Sequence, residues 1–291
     1  MGDQQTFLES ILQKHIGSDA RLLSTSFELG GCINNTLRLN TSSGNYFIKW
    51  QVGIPSDMFE KEAEGLRRLG KAGNLRIPHV IASGVEDGKH YLLMEYIETT
   101  SSGQTDWEDF GRSLALLHRD NRSDQYGFDH DNYVGKLPQP NSWMSSWIDF
   151  FVENRLEYQL KLAMENKLVT PDFVSRYRKF YGQLESLLPV DQPALLHGDL
   201  WSGNFMTALN RKACLIDPAT YYGHREIELS FTQMFGGFAN AFYGSYEDTY
   251  SLEQGFNERV PIYNMYPHMA HVNLFGTSYL GGVLQVLDMY V

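Results

Sequence analysis

The stretch that decides the fold reads LLHGDLWSGNF at residues 195–205 and is followed by LIDPA at residues 215–219. Its apolar run ends in His197-Gly198-Asp199, which is typical of a strand that leads into a polar loop. Asn204 comes five residues after the aspartate, and a turn near residues 210–211 predicts a short hairpin that ends at Asp217. The polar residues therefore follow the order D-x-x-x-x-N, hairpin, D.

This order of polar residues is typical of a phosphoryl-transfer site. Such a site needs a carboxylate that orients the attacking hydroxyl and accepts its proton, and oxygen ligands for the Mg²⁺ that bridges the nucleotide phosphates. Asp199 suits the catalytic role, and Asn204 and Asp217 suit the metal role. The spacing matches the catalytic loop of kinases, with His-Gly-Asp for His-Arg-Asp and Asp-Pro-Ala for Asp-Phe-Gly. The alternative, an ordinary strand-turn-strand with a solvated aspartate, does not explain the whole pattern.

Composition limits the classes of protein and partner. The chain has 291 residues, 42% hydrophobic and 20% charged, which indicates a soluble globular protein large enough for two lobes. A net charge of -11 without a basic run argues against nucleic-acid or membrane partners. The absence of an apolar leader or span predicts a cytoplasmic protein. Cys32 and Cys214 are too few for a disulfide framework.

The first hundred residues indicate a nucleotide-binding sheet. Predicted strands at 22–29 and 36–40 flank Gly30-Gly31, where backbone N–H groups can approach phosphate oxygens, although a tight hairpin explains two glycines nearly as well. Lys49 lies within an apolar strand, 46–50, and the helix predicted at 58–71 carries three glutamates. In kinases such a lysine contacts the α- and β-phosphates while it pairs with a glutamate of the next helix.

The motifs HGDLWxGN and DPAxYYGHRE resemble the fructosamine kinase (ketosamine 3-kinase) family, relatives of aminoglycoside phosphotransferases and protein kinases. The resemblance implies an α+β, bilobal protein-kinase-like fold. Its N-lobe, residues 1–97, would be a small antiparallel sheet with one main helix, and its C-lobe, residues 98–291, would be larger and mostly helical. ATP and Mg²⁺ are the implied cofactors, and a ketosamine, free or on protein, is the implied acceptor. Whether the chain is a monomer or a homodimer stays open.

The resemblance also assigns nucleotide contacts. Because Phe-Glu-Lys-Glu at 59–62 resembles a family motif, it implies that Glu62 is the partner of Lys49, with Glu60 and Glu64 on the solvated face. The hinge would lie at Met94, Glu95, Tyr96 and Ile97, with backbone groups of the last three on the adenine.

The acceptor is expected to lie among aromatic residues, because sugars stack on aromatic faces and hydrogen-bond through their hydroxyls. The candidate contacts are Trp201, Tyr221, Tyr222 and His224. The sequence leaves open whether His224 and Arg225 hold the acceptor or the nucleotide phosphates. Aromatic residues and histidines of the last 30 residues, among them Tyr266, His271 and Phe275, are interpreted as packing.

Four further features carry expectations. Residues 121–141 are predicted to form a long structureless loop, whose Pro-Gln-x-Asn-x-Trp element resembles one of the family. Glu228 is expected to brace the catalytic loop, and His118 to be a packed, hydrogen-bonded residue. Cys32, beside the glycines, is a candidate for oxidation or cross-linking that would switch activity, although a small residue tolerated in a tight loop explains it equally well.

The implied activity is ATP-dependent phosphorylation of the 3-hydroxyl of a ribulosamine or fructosamine adduct, which would serve protein deglycation because the phosphorylated adduct is unstable. A phosphotransferase of the same fold acting on an aminoglycoside, choline or homoserine is one alternative. A non-catalytic nucleotide-binding pseudokinase is another, and the retention of Lys49 and Asp199 argues against it.

Overall fold

A computed structural model describes residues 2–27, 35–73, 75–100 and 102–291. Its first part is a five-stranded antiparallel sheet in the order β1-β2-β3-β5-β4. The strands are β1 (Leu22–Phe27), β2 (Asn35–Thr41), β3 (Gly44–Gln51), β4 (Val80–Glu86) and β5 (Lys89–Glu95). Helix α1 (Gly2–His15) precedes the sheet, and helix α2 (Met58–Ala72) connects β3 to β4.

The central strands of the sheet are covered on both faces, since successive side chains of a strand point to opposite sides and a helix packs on each side. Strand β1, in contrast, is largely exposed. In β5, Tyr91 and Leu93 pack with α1, while Leu92 and Met94 pack with α2. This explains why the strand is a continuous apolar run rather than an alternating one. Lys49 of β3 lies next to buried Ile48 and is itself only 3% exposed, so its charge must be compensated inside the protein.

Helix α2 presents an apolar face to the sheet, with Phe59, Ala63 and Leu66 at helical spacing. Gly73, at φ 96°, ends it in the left-handed conformation that glycine adopts without strain. The helix also passes close to the segment after Asp217, since a Cβ built on Gly65 would meet Thr220 Oγ1 at 2.9 Å. The sequence predicted this helix to within one residue.

The rest of the described chain is mostly helical. Its helices are α3 (Trp107–Asp120), α4 (Trp147–Phe151), which continues through a π-helical segment (Val152–Glu157) into α5 (Tyr158–Glu165), α6 (Pro171–Tyr181), α7 (Leu184–Leu187), α8 (Arg225–Thr232), α9 (Asn240–Thr249), α10 (Phe256–Tyr263), α11 (Met265–Phe275) and α12 (Leu280–Tyr290). Short 3₁₀ turns lie at Ser102–Gln104 and Thr277–Tyr279. Helices α3 and α9 pack so closely that a Cβ on Gly111 would meet the carbonyl oxygen of Phe242 at 2.1 Å.

Residues 121–141 are not structureless, and that prediction was wrong. They contain a small hairpin of β6 (Asn132–Val134) and β7 (Leu137–Gln139), whose turn includes Gly135 at φ 58°. Strands of three residues are too short to show an alternating pattern, so no local signal announced them. Buried side-chain amides of Asn132 and Gln139 hold the hairpin against the segment that follows Asp217.

The two parts share a hydrophobic core. One buried cluster joins Phe59 and Leu66 of α2 and Met94 of β5 with Leu114 of α3 and Phe242 of α9. The boundary between lobes at 97–98 therefore remains a proposal, placed where the sheet ends and the helical part begins. In the described ranges no helix has the length and apolarity needed to cross a membrane.

Candidate active site

Two small β-ladders bring the polar motif residues together. Strand β8 (Ala194–Leu196) pairs with β11 (Tyr221–Gly223), and β9 (Phe205–Thr207) pairs with β10 (Ala213–Leu215). Asp199 follows β8, Asn204 directly precedes β9, and Asp217 follows β10. A hydrogen bond from Ile216 N to Asn204 O, 3.0 Å long, fixes the start of one loop against the end of the other. The predicted hairpin between Asn204 and Asp217 is confirmed.

Asp199 and Asn204 are in direct contact. Asn204 Nδ2 donates to Asp199 Oδ2 at 2.8 Å and to the Asp199 carbonyl oxygen at 2.7 Å. Burial raises the pKa of Asp199 to about 8; the charges of Asp217 and Glu228 act in the same direction, and the hydrogen bond from Asn204 acts against it. An aspartate in this environment accepts a proton readily, which suits a group that orients and deprotonates a hydroxyl.

Lys49 is the positive centre of the site. Its Nζ lies 2.8 Å from Asp217 Oδ1 and forms an ion pair with Glu62. Burial alone would lower the pKa of Lys49, but the two carboxylates outweigh it and raise the pKa, so the side chain stays charged. The pairing with Glu62 is confirmed. Of the other glutamates of α2, Glu60 is exposed, and Glu64 lies 3.5 Å from His130.

The carboxylate of Glu228 holds the backbone at the start of the catalytic loop. Its carboxylate accepts hydrogen bonds from His197 N at 3.1 Å and Gly198 N at 2.7 Å. His118 Nε2 lies 3.0 Å from the same carboxylate, and its Nδ1 lies 2.8 Å from Tyr246 Oη. Glu228, His197, His118 and Tyr246 are all buried. The predictions that Glu228 braces the loop and that His118 is a packed, hydrogen-bonded residue are confirmed.

The donor set at Asn204 and Asp217 fits Mg²⁺. Asn204 uses its amide nitrogen on Asp199, which leaves its oxygen for a cation, and the Asp217 side chain is one-third exposed. Hard oxygen donors of this kind are the ligands of Mg²⁺, which keeps several waters and binds nucleotide phosphates. In the described part of the chain, no three His, Cys, Asp or Glu side chains cluster as a metal site.

A cleft opens over Asp199 and is walled by both parts of the chain. Lys49 and Glu62 lie at one side of it, and the β6–β7 hairpin contributes Tyr133. Of the predicted acceptor residues, Trp201 and Tyr221 line the cleft. The remaining wall was not predicted and comes from α8 and α11: Phe231, Tyr266, Ala270, His271, Leu274 and Phe275. Residues interpreted as packing, such as Tyr266, thus face the cleft, and no local spacing distinguished them from core residues.

Two predicted acceptor residues lie away from the cleft. The buried side chain of His224 caps α8 by accepting from Glu226 N at 3.2 Å, and its ring packs against Trp147 and Tyr263. Tyr222 packs against Trp143 on the other side of β11. Neighbouring residues of a strand alternate in direction, so Tyr221 and Tyr222 cannot both face the cleft. We correct the acceptor assignment of Tyr222 and His224 accordingly.

Arg225 is held in a structural ion pair. Its Nε donates to Asp191 Oδ2 at 2.7 Å, and its guanidinium also bonds the carbonyls of Tyr250 and Ser251. His224 caps a helix, and the guanidinium of Arg225 is fully engaged. The geometry therefore assigns neither residue to the acceptor or to the nucleotide phosphates.

The predicted hinge residues lie at the end of β5. Met94 is buried, and Ile97 packs with Cys214, a buried thiol whose pKa burial raises to about 12. Glu95 pairs with Arg76 at 2.7 Å, and Tyr96 lies under the guanidinium of Arg38 at 4.4 Å. Their contacts with adenine stay a prediction. Gly30, Gly31 and Cys32 lie outside the described residues, so the glycine lid and the redox hypothesis for Cys32 also stay predictions.

Comparison with known proteins shows one family over nearly the whole chain. The model of the fructosamine kinase family matches residues 5–291. A probable ketoamine kinase of Synechocystis is 37% identical over 286 residues, covering 97% of this chain and 95% of that protein. A chloroplastic protein-ribulosamine 3-kinase of Arabidopsis thaliana is 35% identical over 269 residues, covering 90% of this chain and 81% of that protein.

Solved structures agree in fold. A candidate fructosamine-3-kinase from Haemophilus somnus superposes with a TM-score of 0.87 at 28% identity, covering 98% of this chain and 97% of that one. The aminoglycoside phosphotransferase APH(4)-Ia, in a ternary complex with ADP and hygromycin B, gives a TM-score of 0.66 at 11% identity, covering 96% and 97% of the two chains. The second likeness concerns the fold alone. The predicted α+β, bilobal protein-kinase-like fold is confirmed.

Proposed function

Given that the chain belongs to the fructosamine kinase family and is a phosphotransferase of the kinase-like fold, we propose that it transfers the γ-phosphoryl group of ATP to the 3-hydroxyl of a ketosamine. One observation supports this most directly. Asp199, hydrogen-bonded to Asn204, lies in the same cleft as the paired Lys49 and Asp217, beneath a wall of aromatic side chains. Phosphate-handling groups and a sugar-binding wall thus share one cavity.

Each polar residue has a role in this proposal. Lys49, kept charged by Glu62 and Asp217, would bind the α- and β-phosphates. Asn204 and Asp217 would hold Mg²⁺, which supplies neutralisation of the charge on the phosphoryl oxygens. Asp199 would orient the acceptor hydroxyl and take its proton, and the orientation is the larger contribution if the transition state is loose.

The acceptor side supports a sugar-like substrate. Tyr221, Tyr266 and Phe231 line the cleft with aromatic edges, the half-buried Trp201 would offer surface for the apolar face of a sugar, and Asp199 would offer an acceptor for its hydroxyls. The chloroplastic relative is described as acting on protein-bound ribulosamine. We extend that substrate class to this chain, and with it a role in the removal of sugar adducts from amines, since 3-phosphorylated adducts are unstable.

The test is ATP consumption by the purified protein with Mg²⁺ and a panel of acceptors. Ribulose-lysine and fructose-lysine adducts are compared with kanamycin and choline, and NMR of the product locates the phosphate. We expect turnover on a ketosamine, with phosphate on O3, that disappears in Asp199→Asn. Turnover on kanamycin or choline alone would contradict the proposed substrate, and ATP binding without turnover on any acceptor would favour a non-catalytic role.

A further inference from the structure

Side chains bind two carbonyls of the short segment between Asp217 and β11. Asp217 has a φ of 56°, a left-handed conformation that costs a non-glycine residue about 1–3 kcal/mol and persists only where the surroundings enforce it. Pro218, which follows, has no N–H to donate. Asn132 Nδ2 donates to the carbonyl oxygen of Thr220 at 2.8 Å, and Gln139 Nε2 donates to that of Ala219 at 3.0 Å. The β6–β7 hairpin thus supplies the partners of two carbonyls next to a strained metal-ligand residue.

Gln139 is the centre of this arrangement. It is 1% exposed, and all of its polar atoms are engaged: Nε2 donates to Ala219 O and to Asn132 Oδ1 at 2.7 Å, and Oε1 accepts from Tyr266 Oη at 2.6 Å. A flipped amide would place its oxygen against two acceptors, so the orientation of the side chain is determined by its partners.

The network continues away from the cleft and locks the hairpin. Asn141 Nδ2 donates to Asn132 Oδ1 at 3.0 Å, and Arg155 Nη2 donates to Asn141 Oδ1 at 2.8 Å. Arg155 is fully buried, with its guanidinium 4.0 Å from the centre of the Tyr221 ring. Because these side chains are buried and joined by hydrogen bonds, a change at Gln139 cannot be absorbed by rotation of the neighbouring amide side chains.

The other ends of the network lie at the reaction site. Tyr266 lines the cleft together with Asp199 and Trp201. The backbone of Ala219 is fixed from three directions: its N–H donates to His197 O at 2.9 Å, its carbonyl, which belongs to the Ala219–Thr220 peptide, accepts from Gln139, and the same carbonyl lies against Gly198. A displacement of this peptide would therefore move both the turn before Asp199 and the chain after Asp217.

We propose that Gln139 is a positioning residue for phosphoryl transfer, which links the acceptor wall at Tyr266 to the Ala219 peptide and so sets Asp199 and Asp217 relative to each other. The kinetic test of this inference rests on the proposed function, whereas the structural test, by hydrogen exchange, does not. Groups that orient reacting residues from outside typically change activity by about 10–100-fold when they are removed.

The test compares Gln139→Met with Gln159→Met. Gln159 is also a buried glutamine; its Oε1 accepts from Asn273 Nδ2 at 2.8 Å, and it does not line the cleft. For Gln139→Met we expect kcat on the ketosamine to fall by about 10–100-fold while KM for ATP changes by less than about 3-fold. Gln159→Met should lose thermal stability but keep kcat. A kcat for Gln139→Met within 3-fold of wild type, or an equal loss in Gln159→Met, would overturn the proposal.

Tyr266→Phe separates positioning from direct substrate contact. If the Tyr266 hydroxyl acts through Gln139, Tyr266→Phe should lower kcat less than Gln139→Met, and the double variant should be no worse than Gln139→Met alone. If the losses of kcat in the two single variants add up in the double variant, the Tyr266 hydroxyl contacts the substrate directly. Tyr266 would then not act through Gln139.

Hydrogen exchange gives a readout without turnover. The Ala219 amide should exchange faster in Gln139→Met than in wild type or Gln159→Met, because the same residue loses the hydrogen bond that fixes its carbonyl and its backbone becomes freer to move. If wild-type protein phosphorylates no ketosamine, the proposed function fails. Hydrogen exchange at Ala219 still tests whether Gln139 holds the backbone there. Unchanged protection there would overturn the proposal whatever the substrate.

Discussion

The carbonyl oxygen of Ala219 lies directly against Gly198, so that a Cβ built on the glycine would meet that oxygen at 2.0 Å. Gly198 also has a φ of 85°, which strains any residue with a side chain. The glycine of His-Gly-Asp is therefore a geometric requirement of this site, since the carbonyl of Ala219 occupies the space that a side chain at position 198 would need.

We predict that Gly198→Ala destabilises the protein by about 2 kcal/mol or more and abolishes turnover, because the new Cβ must displace the Ala219 peptide. Urea unfolding and acceptor-dependent ATP consumption measure the two effects. Gly244→Ala is the control, because Gly244 is an exposed helical residue with open space around it, and alanine there should be neutral or stabilising. Full activity in Gly198→Ala would show that the loop adapts.

Asp199→Asn is predicted to lower kcat by about 10²–10⁴-fold, because asparagine cannot accept the proton of the acceptor hydroxyl. The affinity for ATP with Mg²⁺ should stay within about 3-fold of wild type, because the proposed metal ligands are Asn204 and Asp217. Single-turnover kinetics and calorimetric titration separate the two quantities. A variant that no longer binds ATP would place Asp199 among the metal ligands instead.

Lys49→Met is predicted to weaken ATP binding by about tenfold or more, since a hydrogen bond between charged groups contributes about 1.5–3 kcal/mol. It also leaves the carboxylates of Glu62 and Asp217 without their shared cation, so the free energy of unfolding should fall. Lys71→Met is the control, because Lys71 is an exposed lysine of α2, the helix that carries Glu62. Wild-type ATP affinity in Lys49→Met would exclude the phosphate contact.

The stability of the protein should decrease as pH falls from about 6.5 to about 4, with His224 as one cause. Burial lowers the pKa of His224 to about 4, so it stays neutral in the folded protein while the unfolded chain, near pKa 6.5, takes up a proton. Below pH 6.5 protonation therefore favours unfolding, by up to about 3 kcal/mol near pH 4.

His224→Asn tests this assignment, because asparagine is a good helix cap and does not titrate. Urea unfolding at several pH values should show a smaller loss of stability between pH 6.5 and 4 in the variant, with kcat at neutral pH retained. An unchanged slope would assign the acid sensitivity to other groups, and a large rise in acceptor KM would restore His224 to the acceptor site.

The sequence predicted the polar residues of the cleft better than the aromatic residues that line its wall. Asp199, Asn204 and Asp217 are separated by short segments, so a strand end, a loop and one hairpin bring them together. The aromatic wall of the cleft draws Tyr133, Phe231 and Tyr266 from three distant elements. Nothing in the spacing of such residues separates a side chain that packs in the core from one that faces a cleft.

The sequence by itself determined the kinase-like catalytic motif, the strand that carries Lys49 and the helix that follows it. Patterns of this kind constrain the backbone over a few residues, and the physical chemistry of carboxylates and amides then limits the function. Only the tertiary structure decided that Tyr221 faces the cleft while Tyr222 and His224 do not. It also decided that the 132–139 hairpin holds the Ala219 peptide. Those outcomes depend on hydrogen bonds between buried polar groups that are far apart in the sequence. Such long-range pairing produces no periodic pattern that the sequence could reveal.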